Sequence, residues 1–119
     1  MAAMTAVSSG LHSPADVRAA RLQALRGRAM ARARAAIQAL RECGVTARLT
    51  GSLARGDFAE SSDIDLLIVK CPRRLKYAIE GLVEDQLEGL PFDVIYLDEV
   101  PSAKIAGFMG PARDIRAER

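Results

Sequence analysis

With 119 residues, half of them hydrophobic, the chain can build one domain around one modest core, and it is too apolar to stay disordered. The formal net charge of +2 hides an asymmetry: residues 1–56 hold nine Lys/Arg against two Asp/Glu, and residues 57–119 hold eight against thirteen. No run approaches the ~18 apolar residues of a membrane span, and Cys43 and Cys71 match no metal-binding spacing. A membrane function and a zinc site are therefore excluded, and the expectation is a cytoplasmic protein with reduced thiols.

Residues 1–12 are small and uncharged apart from the isolated His12, and read as a disordered leader before a single domain over 13–119. Ser13-Pro14-Ala15-Asp16 has the chemistry of a helix start: a capping hydroxyl, proline at the first helical position and an acid in the first turn. A long basic helix is predicted over 13–43, with Gly44 as its left-handed cap. Leu22, Leu25, Ala29, Ala33, Ile37 and Leu40 give it a narrow apolar stripe. Gly27 costs about 1 kcal/mol relative to alanine there, so the segment is one bent helix or two. Seven arginines lie between Arg18 and Arg41 with no acid among them. A solvated face, a docking surface for an acidic protein or nucleic acid, and an organelle transit peptide all stand as readings of that run.

The core of the domain is expected over 45–100, the part that also holds the candidate catalytic residues described next. Val45, Ala47 and Leu49 alternate along a first strand over 45–50. Gly51-Ser52 then turns the chain into about one turn of helix ending at Arg55. The loop 56–62 returns it to a second strand that opens on Asp63 and Asp65. Residues i and i+2 of a strand share a face, so both carboxylates point the same way, with Leu67 and Val69 beyond them. Pro72 ends that strand. A helix over 73–88 follows, with Leu75, Ala78, Ile79, Leu82, Val83 and Leu87 inward. Arg73, Arg74 and Lys76 crowd its start, against the preference of the helix dipole. The third strand, Phe92 to Leu97, again carries an aspartate at its entry, Asp93, on the face of Ile95 and Leu97. Asp98 is the alternative acid at its far end. Residues 101–119 are less regular: a short helix over 101–109, then a tail that is frayed or forms a last helix. The order helix–strand–turn–strand–helix–strand gives an α/β class with a small mixed β-sheet and packed helices.

Carboxylates gathered at one strand entry repel each other unless a cation lies between them. With only hard oxygen donors on offer, Mg²⁺ or Mn²⁺ suits the set better than zinc. Mg²⁺ is commonly shared with substrate phosphates. The Gly51-Ser52 turn supplies backbone N–H groups and a hydroxyl for those phosphates, and Arg55 can add a charge-assisted bond.

Gly51-Ser52, Ala54-Arg55-Gly56-Asp57 and Ser62-Asp63-Ile64-Asp65-Leu66 together resemble the signature of the minimal nucleotidyltransferases, within the DNA-polymerase-beta-like nucleotidyltransferase superfamily. The resemblance covers roughly residues 35–100. It implies a nucleotidyltransferase core with two Mg²⁺ ions on Asp63, Asp65 and Asp93, and ATP on Gly51, Ser52, Arg55 and Gly56. It further implies transfer of AMP to a hydroxyl, as in antitoxins that adenylylate a HEPN-type toxin, for which the arginine-rich helix is a candidate docking face. Nucleic acid is not the expected acceptor. A catalytically idle binding antitoxin or scaffold, and a small-molecule transferase (of an aminoglycoside, for instance) needing another subunit, are the competing functions.

Overall fold

The computed structural model describes residues 13–110 together with Ala112, Arg113 and Ile115. The expected leader and His12 lie outside the described residues. Helix α1 runs unbroken from Pro14 to Glu42, and the Ser13 side chain accepts from the Asp16 N–H at 3.0 Å. Cys43 caps its end, and Gly44 follows at φ +88°, the left-handed geometry expected of it. Gly27 does not divide the helix. It lies on an exposed face with nothing near its Cα, so the local propensity cost has no packing cost added to it. Burial begins at Ala29 and continues through Ala33, Ala36, Ile37 and Leu40. The half of the helix before Ala29 has no buried residue.

Three strands form the sheet in the order β1 (Thr46–Thr50), β2 (Ile64–Lys70), β3 (Phe92–Tyr96). β1 and β2 pair antiparallel, whereas β2 and β3 are parallel, so the sheet is mixed, as expected. The parallel pair requires a crossover, supplied by helix α3 (Ile79–Leu87). One sheet face presents Ala47, Leu49, Ile64, Leu66 and Ile68, which join Ile37, Leu40, Ile79, Val83 and Leu87 of the helices in one core. Period-2 alternation in the strands and a 3–4 spacing in the helices put these residues together.

Three segments depart from expectation. The segment 73–88 is not one helix: Arg73–Ala78 is a 3-10 stretch, and α-helix begins only at Ile79. Pro72 offers no side-chain cap, and the first turn contains arginines and no acid, so the start is poorly stabilised and winds tighter. The acid Glu80 stands in the first turn of α3. At the other end, Glu88 takes a left-handed conformation, φ +52°. Arg28 donates to the Glu88 carbonyl at 3.2 Å, and Arg32 donates to the Gln86 carbonyl at 3.1 Å and to the Glu88 carboxylate at 2.8 Å. Part of the basic run on α1 thus caps α3 internally. Finally, the tail forms no helix at Arg113. Its backbone exchanges hydrogen bonds of 2.7 and 2.8 Å with Leu49, extending the sheet beyond β1, and Ile115 is buried.

Candidate active site

Strand register builds the site. Thr50 is paired with Asp65, and Asp65 with Asp93. Residues paired across neighbouring strands share a face, so Asp65 and Asp93 stand side by side at the entry of the parallel pair. The chain leaves β1 right after Thr50, so the pairing that aligns Thr50 with Asp65 also sets Gly51 beside the Asp65 carboxylate. A Cβ on Gly51 would stand 2.9 Å from Asp65 Cγ and closer still to Oδ2, and Gly51 has φ +76°. Both the conformation and the close approach require glycine. Asp63 precedes β2 and is exposed, while the next residue, Ile64, anchors the strand through its N–H to the Pro91 carbonyl at 2.9 Å.

Helix α2 (Gly51–Arg55) is a single turn held by the buried Leu53 and Ala54. Ser52 and Arg55 are left on its outer side. Gly56 terminates it at φ +94°, with the N–H groups of Gly56 and Asp57 donating to the Ser52 carbonyl at 2.9 and 3.0 Å. No side chain caps its N-terminus, so the first N–H groups remain available to an anion. Arg55 lies 3.6 Å from Asp57, and both side chains are more than half exposed, so the pair leaves the guanidinium free to reorient.

Electrostatics single out Asp65. Partial burial, then the carboxylates of Asp93 and Asp63, push its carboxyl above the usual range, and Arg55 pulls it back. Three like charges held near one another with one arginine opposing them form a site that stabilises added positive charge. All the donors are carboxylate oxygens, which fits a hard divalent cation. Among the described residues, no three acidic, His or Cys side chains already converge within ligating distance.

Of the sequence-derived residues, Asp63, Asp65, Asp93, Gly51, Ser52, Arg55 and Gly56 all belong to this one end of the sheet. Asp98 does not: it lies past the far end of β3 and pairs with Lys76 at 3.2 Å. Three supporting residues had no clear sequence signal. Thr50 is buried and donates its hydroxyl to the Phe108 carbonyl at 3.4 Å, tying helix α4 (Ile105–Met109) to the site's edge. Arg113 donates to the Ala54 carbonyl at 3.2 Å, holding the end of α2. Arg26, from the basic run, fixes the loop 56–62 through its Nε donating to the Phe58 carbonyl at 2.7 Å.

Residues 30–115 match the family model described as nucleotidyltransferase domain, a span that includes every residue of the site and most of the chain. No curated protein and no solved structure matches the chain.

Proposed function

The chain belongs to the nucleotidyltransferase domain family, and from that premise we propose that it moves AMP from ATP onto a hydroxyl of a partner protein, with Mg²⁺, as an antitoxin of the minimal type. The observation that carries the chemistry is the pairing of Asp65 with Asp93 directly beneath the Gly51 backbone.

In this reading Gly51 and Ser52 take the β- and γ-phosphates through backbone N–H groups and the serine hydroxyl, and Arg55 adds a cation. Asp63, Asp65 and Asp93 would hold two Mg²⁺ ions, which, when bound, stabilise the entering and leaving oxygens of the displacement. Asp93, exposed at the strand entry, accepts the proton of the acceptor hydroxyl. The acceptor oxygen bonds to the α-phosphorus as the bond to the β-phosphate oxygen breaks, and pyrophosphate leaves.

For the partner, support comes from charge. Arg26, Arg28 and Arg32 are engaged within the chain, whereas Arg18 and Arg21 are exposed on the half of α1 that precedes the core. That end of the helix presents a basic surface to an acidic partner of the HEPN type. No helix among the described residues is long and apolar enough to cross a membrane. The test is incubation with Mg²⁺ and labelled ATP, with and without the product of the neighbouring gene. Label should move to that product with the wild-type chain and not with Asp63→Ala/Asp65→Ala. Transfer by the double variant at the wild-type rate would remove the proposal.

A further inference from the structure

Helix α2 carries the Gly51-Ser52 turn, and it cannot stand by itself. It has five residues, far fewer than the roughly 12–15 that an isolated helix needs to be even marginally stable in water. Its geometry is therefore set by its surroundings. Leu53 and Ala54 are buried, and Gly56 closes the turn. Two further anchors come from more than fifty positions away, from the segment that carries Phe108, Arg113 and Ile115.

That segment holds α2 at both ends. Thr50 occupies the cap position before α2, but its side chain makes no capping bond. Its hydroxyl is turned instead to the Phe108 carbonyl, 3.4 Å away. At the other end, the last carbonyls of a helix have no partner within it. The Arg113 guanidinium donates to the Ala54 carbonyl at 3.2 Å, placing a cation where the helix dipole favours one. Arg113 is fixed in turn by its own backbone. Its N–H donates to the Leu49 carbonyl at 2.7 Å, and its carbonyl accepts from the Leu49 N–H at 2.8 Å. Ile115 is buried with the core. One residue thus ties the strand that enters the Gly51-Ser52 turn to the helix that leaves it, and a displacement of about 1 Å at such a place is costly to binding and rate.

Resting on the reading of Gly51 and Ser52 as the phosphate cradle, we infer that Arg113 is a positioning residue for the nucleotide: seated by Leu49 and Ile115, it holds α2 in the geometry that the triphosphate needs. Docking of its segment and binding of the triphosphate then support each other, and such coupling is reciprocal. The test is calorimetric titration of the full chain with Mg²⁺ and a non-hydrolysable ATP analogue, alongside amide hydrogen exchange followed by NMR. Arg113→Ala should weaken the analogue by about tenfold, the order of one hydrogen bond to a charged group. Before any nucleotide is added, its Gly56 and Asp57 amides, which close α2 on the Ser52 carbonyl, should exchange faster. Arg113→Lys keeps a donor cation and should restore most of the affinity. Ile115→Ala keeps the guanidinium but weakens its seat, and should also lower affinity, which direct contact between Arg113 and a phosphate would not require. Arg32→Ala loses comparable bonds away from the site and should bind the analogue like the wild type. In the wild type the analogue should slow exchange at Leu49 and Arg113. Wild-type affinity in Arg113→Ala or in Ile115→Ala, or exchange at Leu49 and Arg113 that ignores the analogue, would each overturn the inference and leave the proposed function standing. A wild-type chain that binds no analogue would overturn both.

Discussion

Gly51→Ala probes the account at its tightest point. Gly51 has φ +76°, and a Cβ built there stands 2.9 Å from Asp65 Cγ. A left-handed alanine costs roughly 1–2 kcal/mol, and the contact with the carboxylate adds to it, because either Asp65 or the turn must shift. For 119 residues roughly 3–6 °C of melting temperature accompanies each kcal/mol, between the values for smaller and larger domains, so thermal unfolding should fall by at least about 3 °C. A displacement of about 1 Å at a reacting centre can lower a rate by about 10²-fold, so nucleotidyl transfer should fall far more than stability. Circular-dichroism melts and transfer of labelled AMP measure the two separately. In Gly51→Ala/Asp65→Ala the carboxylate is gone, and of its contacts with the added methyl only the 3.1 Å approach of the residue-65 Cβ remains. Part of the melting temperature should return, a coupling of about 1 kcal/mol, while transfer stays absent. A Gly51→Ala protein that melts and transfers like the wild type would refute the claim that this glycine exists to admit Asp65.

Other perturbations separate stability from chemistry. Burial, then the Asp93 and Asp63 carboxylates, hold the Asp65 carboxyl above the usual carboxylate range in the folded protein, so the folded state keeps a proton that the unfolded state has lost and loses stability as pH rises through that interval. Asp65→Asn should therefore raise the melting temperature of the metal-free protein at pH 7, the gain should vanish below about pH 3.8, and transfer should be lost. Arg32→Ala removes bonds to the Gln86 carbonyl and the Glu88 carboxylate; chemical denaturation should show a loss of about 1–2 kcal/mol, with transfer per folded molecule unchanged. Arg18→Glu/Arg21→Glu should leave melting unaltered and weaken capture of the partner protein, read by calorimetric titration.

Wherever the site depends on local spacing, it was legible in the sequence. Asp63 and Asp65 are two residues apart, Gly51-Ser52 follows a strand, and Asp93 opens the next apolar run, so strand periodicity alone places them at strand ends. The parallel pairing of Asp65 with Asp93 follows once a helix connects the two strands. What the sequence concealed was long-range. Nothing in a run of arginines tells that Arg28 and Arg32 cap a helix more than fifty positions away. The irregular tail gave no sign that Arg113 would pair with Leu49, since one bridge leaves no periodic pattern. At the start of the segment 73–88 the apolar spacing of Leu75 and Ile79 suits a helix, while the missing cap at Pro72 decides the winding.

The central claim is that Asp63, Asp65 and Asp93 meet the Gly51-Ser52 turn around a divalent cation and a triphosphate. Paramagnetic Mn²⁺ added with a non-hydrolysable ATP analogue tests it directly through the amide signals of the full chain. Selective broadening of Gly51, Ser52, Asp65 and Asp93, abolished in Asp63→Ala/Asp65→Ala/Asp93→Ala, is the result expected. Broadening centred elsewhere, or unchanged in the triple variant, would contradict the account.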